Sequence, residues 1–160
     1  MAEDDRILAG IAPSPARRAF ATGVLGGLGV LLELLAFLRS PASIPLQLLL
    51  VGLGAAALIL CVRLYAATGR SLILTSAGLA DSDGRELAAM DEITKVERGV
   101  FAFKPSNGFV LHLKTRRPGA WAPGLWWRMG RRIGVGGVIS GAEGRAMADL
   151  ISAAIAGRDR

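Results

Sequence analysis

Apolar positions are distributed along this chain in two different ways. Over residues 19–38 they run almost unbroken, with Glu33 the one charge, and over 46–62 they run with no charge at all, continuing past Arg63 to residue 68. A hydrocarbon core about 30 Å thick is crossed by roughly 20 helical residues, or about 17 at the short end. Both stretches therefore predict membrane-spanning helices, at 19–38 and 46–68. Ser40, Pro41, Ala42, Ser43 and Pro45 interrupt the pattern between them. So short a link predicts an antiparallel hairpin, because backbone in lipid has to be hydrogen-bonded within each helix. Residues 1–18 then form a tail on the same side as the long C-terminal part.

After residue 69 the pattern changes to short alternating runs separated by turn residues. Residues 71–75, 78–81 and 85–88 read as strands, and Asp83-Gly84 supplies the turn between the last two. Residues 93–98 alternate apolar and charged positions, as a half-buried strand does. Residues 100–104 and 109–114 flank Asn107-Gly108, a hairpin signal, and 133–139 form a plausible last strand. Ser140 and Glu143 stand at capping-box spacing. Met147, Leu150, Ile151, Ala154 and Ile155 follow on one helical face, and Gly157 marks the stop. The expectation is a compact domain over 70–160, large enough for its own core.

Strands followed by one C-terminal amphipathic helix resemble a pleckstrin-homology-like domain of the kind found in small bacterial membrane proteins. The residues carrying the resemblance are Leu72-Ile73-Leu74-Thr75 with Gly78-Leu79, then Met90-Asp91-Glu92-Ile93 leading into Val96, then Gly134 to Ile139 feeding the final helix. The resemblance implies an α+β fold: a two-helix transmembrane hairpin, then a small antiparallel β-barrel capped by a helix. It speaks to fold more than to function.

Charge sets the expected orientation. Arg6, Arg17, Arg18, Arg63 and Arg70 flank the outer ends of the spans, against Arg39 alone in the connecting loop. The positive-inside rule then puts both termini in the cytoplasm, and the resemblance implies that the membrane is a bacterial inner membrane. Ala16-Arg17-Arg18-Ala19-Phe20 also resembles a twin-arginine export signal, but cleavable apolar regions run 7–15 residues, shorter than this one. Cys61 is the single cysteine and lies inside the second span, so no disulfide forms within the chain.

Within the spans, Gly23 and Gly27 form a Gly-x-x-x-Gly pair with Gly26 and Gly29 alongside, and Gly52 with Ala56 makes a weaker equivalent. Small residues four apart let helix backbones approach, either between the two spans of one chain or between two chains. Glu33, an acid inside a span, has two readings: a snorkelling or structurally bonded side chain, or a proton- or partner-linked group.

Candidates for catalysis are few. His112 is the single histidine and has no second His or Cys nearby, and the glycines at 134, 136 and 137 make no dinucleotide fingerprint. No enzyme, cofactor or metal is expected. The informative cluster is basic and aromatic. No acid occurs between Arg98 and Ala142, a stretch that holds eight positive residues, including Arg116, Arg117, Arg128, Arg131 and Arg132. All three tryptophans, Trp121, Trp126 and Trp127, lie in its Pro- and Gly-rich part, 118–130, which reads as a loop too irregular to bury them all. Anionic lipids attract juxtamembrane arginines and tryptophan favours the headgroup region, so membrane lipids are the expected contact, ahead of a protein surface and well ahead of nucleic acid. The expected function is a membrane-anchored, non-enzymatic binding or assembly module, whose partner is another membrane protein or a second copy. The alternative is an accessory subunit of a transport or proton-linked complex using Glu33 and the glycine-lined spans.

Overall fold

The structure, a computed structural model, describes residues 6–39, 43–98 and 107–158. The chain begins with strand β1 (Ile7–Ile11), then α1 (Pro15–Leu38) and α2 (Ile44–Ala67). Next come β2 (Leu72–Thr75), β3 (Gly78–Asp81) and β4 (Glu86–Ala89), a 3-10 turn at Met90–Glu92, then β5 (Ile93–Glu97), β6 (Phe109–Ala122), β7 (Trp126–Val135) and α3 (Gly141–Arg158). Each of the first two helices has 24 residues, about 36 Å at 1.5 Å per residue. Both are long and apolar enough to cross a membrane, and only 11% of each apolar stretch is buried. A core helix of a soluble protein would be mostly buried.

The two helices pack antiparallel, on the flanking Gly26 and Gly29 rather than on the Gly23–Gly27 pair or Gly52. A methyl group added at Gly23, Gly27 or Gly52 would meet nothing. The seam is instead made by Gly29, whose missing side chain leaves room for Leu58, and by Gly54, over which the Glu33 side chain lies. Gln47 Nε2 donates to the Ala36 carbonyl at 3.2 Å, so the few polar side chains of the hairpin turn toward the seam.

The N-terminal segment is not a tail. β1 pairs antiparallel with β2, with Ile11 opposite Leu72 and Gly10 opposite Ile73, and Ile11 is buried in the core. The helix hairpin is thus an insertion between two neighbouring strands. Among the described residues the strands form two sheets, β1-β2-β3-β4 and β5-β6-β7. Among the described residues the expected barrel is not closed: the 3-10 turn at Met90–Glu92 carries the chain from β4 to the second sheet, and no ladder there joins β4 to β5. The core between the sheets contains Leu72, Leu74, Leu79, Leu87, Ile93, Phe109, Leu111, Trp126 and Ile133.

α3 begins directly after Ser140, as its cap spacing predicts, and Gly144 N–H bonds the Ser140 carbonyl at 3.0 Å. Met147, Ala148 and Ile151 are buried against β1 and β5, while Leu150 faces solvent. The helix runs one residue past Gly157 to Arg158, whose guanidinium donates to the Met90 and Ile93 carbonyls, both at 2.8 Å. The strand expected at 100–104 and most of the turn before Gly108 lie outside the described residues. Asn107 itself has φ +60°, the left-handed conformation that Asn tolerates in turns.

Candidate functional site

The basic aromatic stretch is a β-hairpin rather than a loop. β6 and β7 pair from Phe109 opposite Val135 to Ala122 opposite Trp126, so 118–130 forms the outer half of the hairpin. Pro118 and Gly119 are tolerated because the register slips there, between Arg117 and Ala120. Successive residues of a strand point to opposite faces, and this separates the tryptophans. Trp126 points inward and is 2% exposed, in the core, contrary to its expected place on the surface. Its indole Nε1 is buried without a hydrogen-bond partner among the described residues. Trp121 and Trp127 are directly opposite each other and share the outer face. Trp121 is 59% exposed, whereas Trp127 is half-buried, its indole filling the space over Gly134 that any side chain there would occupy.

The turn of the hairpin meets the helices. Gly124 adopts φ +75° and lies against Leu64 and Thr68 at the end of α2. Val138 N–H bonds the Gly124 carbonyl at 3.0 Å, and the Val138 carbonyl accepts from Ser14 N–H at 2.9 Å, just before α1. Arg17 donates to the Ile139 carbonyl at 2.6 Å. Arg18 donates to the Tyr65 carbonyl at 3.0 Å, with its guanidinium 4.1 Å from the Tyr65 ring centre. The two arginines that charge alone marks as topology signals are therefore also clamps: Arg17 ties α1 to the segment after β7, and Arg18 ties α1 to the end of α2.

The five candidate arginines divide into two groups. Arg117 and Arg128 are used inside the domain. Arg117 lies 3.0 Å from Glu86 and 2.6 Å from Glu92. Burial alone would lower its pKa, but the Glu92 and Glu86 carboxylates outweigh that and raise it. Arg128 donates to the Pro118 carbonyl at 3.0 Å and to the Leu87 carbonyl at 3.2 Å, bridging the sheets. Burial, with the charges of Arg117 and Arg85, lowers its pKa. Arg116, Arg131 and Arg132 are different. They are exposed and line one open pocket of about 460 Å³ with Met129 and Gly130. Between the pairs His112–Arg132 and Arg117–Gly130, four residues of β6 face one of β7. That bulge re-aims Arg116 beside the other two. No carboxylate among the described residues pairs with any of the three.

Beside this pocket lies an apolar groove of about 590 Å³ lined by Gly119, Ala120, Trp121, Trp127, Arg128 and Met129. Met129, 70% exposed, borders both spaces. The arrangement offers apolar contact and unneutralised positive charge on one continuous strip. Sequence spacing could not separate the two groups of arginines, because the division depends on which side of a bulge each one falls.

His112 Nε2 lies 3.0 Å from Glu97 Oε2 on the sheet surface. Among the described residues no three His, Cys, Asp or Glu side chains gather as a metal site requires. No family model, curated protein or solved structure matches this chain.

Proposed function

We propose that this chain is a membrane-anchored, non-enzymatic binding and assembly module, with a pleckstrin-homology-like domain held at the cytoplasmic face of a bacterial inner membrane. The observation that carries this reading is the insertion of the apolar helix hairpin between β1 and β2. Two covalent connections, reinforced by the contacts of Gly124 with Leu64 and Thr68 and of Ser14 with Val138, fix the domain at the helix ends. A four-stranded and a three-stranded sheet with a C-terminal helix support the pleckstrin-homology-like reading. The arginines at the outer helix ends support the cytoplasmic one. The open hairpin strip is the surface through which such a module engages lipid or a neighbouring membrane protein.

Alkaline carbonate extraction followed by protease treatment of sealed inverted vesicles tests the proposal. The chain should stay in the membrane pellet, and its sheet domain should be accessible in inverted but not in right-side-out vesicles. Release of the chain by carbonate would overturn it.

One observation favours a second reading, an accessory role in a transport or proton-linked complex. The Glu33 side chain lies in the helix seam against Gly54. Under that reading Glu33→Gln abolishes the complex's activity while the fold and the hairpin strip are untouched.

A further inference from the structure

We propose that the outer half of the β6–β7 hairpin seats one anionic glycerophospholipid, with its phosphate at Arg116, Arg131 and Arg132 and one acyl chain along Trp121, Trp127 and Met129. The proposal rests on the membrane reading above and specifies the ligand of that surface.

Three features point to a ligand with this chemistry. The β6 bulge sets Arg116 on the same open pocket as Arg131 and Arg132, and no carboxylate among the described residues pairs with any of the three. Like charges so gathered repel one another unless an anion lies between them, and arginine forks match phosphate oxygens bidentately. The adjoining groove is apolar, and Met129 joins it to the basic pocket without a break. A free phosphate uses only the pocket, and an apolar peptide uses only the groove. An amphiphile with a negative head uses both.

The order of the two halves along the hairpin fits a lipid drawn from the adjacent leaflet. The turn at Gly124 touches Leu64 and Thr68 at the end of α2. The tryptophans flank that turn, and the arginines lie farther along the strands. The apolar half is therefore nearer the spans and the basic half farther from them. Arg131 is four residues beyond Trp127, at most about 13 Å along a strand. One acyl chain, about 15 Å long as half a hydrocarbon core, covers that distance.

Because all three tryptophans of the chain lie in this hairpin, their fluorescence reports on it directly. The full chain is placed in phosphatidylcholine nanodiscs carrying a small fraction of acyl-chain nitroxide lipid, either phosphatidylglycerol or phosphatidylcholine. At equal mole fraction, the phosphatidylglycerol label should quench at least about twofold more strongly. Arg131→Gln with Arg132→Gln should bring the two labels to parity, with the melting transition retained. An equal loss of charge elsewhere, Arg6→Gln with Arg145→Gln, should leave the preference in place. Equal quenching by both labels in the unmodified chain overturns the proposal. So does a preference that both double variants reduce alike, since that is general surface charge. Each outcome is read in chain already embedded in a bilayer, so it is separate from failure of the membrane assignment.

Discussion

In the helix hairpin the buried residues are Gly29, Ala36, Gly54, Leu64 and Ala67, while Phe20, Leu38, Leu48 and Val62 stand on the outside. In the sheet domain Leu72, Leu74, Leu79, Phe109 and Ile133 are inside, and arginines and carboxylates cover the surface. The same leucine side chain is an outside residue in one region and an inside residue in the other. Water drives leucine inward because burial removes apolar surface from it, at about 25 cal/mol per Å². Lipid supplies no such force, and helices there associate through small residues that pack closely. The contrast indicates which solvent each half of this chain is built for.

Truncating core residues should show the difference most strongly. Trp126→Ala is expected to destabilise the sheet domain by about 3–5 kcal/mol, and Ile11→Ala by about 2–5 kcal/mol, measured by denaturant unfolding of the full chain in micelles. Leu48→Ala, on the outer face of α2, is expected to change stability by less than about 0.5 kcal/mol. The Ile11 result matters beyond its size, because a fragment of residues 70–160 lacks β1 and should be less stable than the intact domain.

Glycine substitutions come next in size. Gly29→Leu would overlap Leu58 and should loosen the helix pair by about 1–3 kcal/mol, seen as lost cross-linking between cysteines placed across the seam. Gly27→Ile should leave that cross-link intact, since no described residue lies against Gly27. If Gly27→Ile instead lowers the dimer fraction in a membrane-helix association assay, the open Gly23–Gly27 face joins two copies.

The smallest expected effect is acid sensitivity confined to the sheet domain. Hydrogen bonds from Lys95 and His112 hold the Glu97 carboxyl at about 2, against an ordinary value of 4.5. Burial pushes Glu92 up, but the Thr115 hydroxyl and Arg117 hold it below its ordinary value. A depressed carboxylate stabilises the fold above its unfolded pKa and loses that contribution as pH falls through the folded one. The domain's melting temperature should therefore drop between about pH 4.5 and pH 2, and Glu97→Gln should flatten part of that slope.

Much of the helix hairpin was legible in the sequence because continuous apolarity is a strong signal: the expected spans 19–38 and 46–68 fall within a few residues of α1 and α2. The short strands β2 to β5 were also legible, from alternation and the Asp83-Gly84 turn. β1 was not, since five residues in a segment called a tail carry no periodicity of their own, and their strand conformation comes from pairing with β2, 61 residues on from Ile11 to Leu72. The hairpin at 118–130 resembles a loop in sequence because Pro118, Gly119, Pro123, Gly124 and Gly130 mask its alternation. They mark register slips and the turn instead. The same masking also hides the inward direction of Trp126 and the internal use of Arg117 and Arg128. The helix seam is legible only in part: spacing identifies glycines that can pack, Gly26 and Gly29 among them, whereas the rotation of each helix decides which ones meet the other span.

The central claim is that an apolar hairpin crosses the bilayer twice and returns the chain to the sheet it left. Labelling by a membrane-impermeant maleimide tests it most directly, using single cysteines at Arg6, Ser43 and Ser82 in a Cys61→Ala background. Arg6→Cys and Ser82→Cys should label from the same face, the cytoplasmic one, and Ser43→Cys only from the opposite face. Labelling of all three from one face would contradict the account.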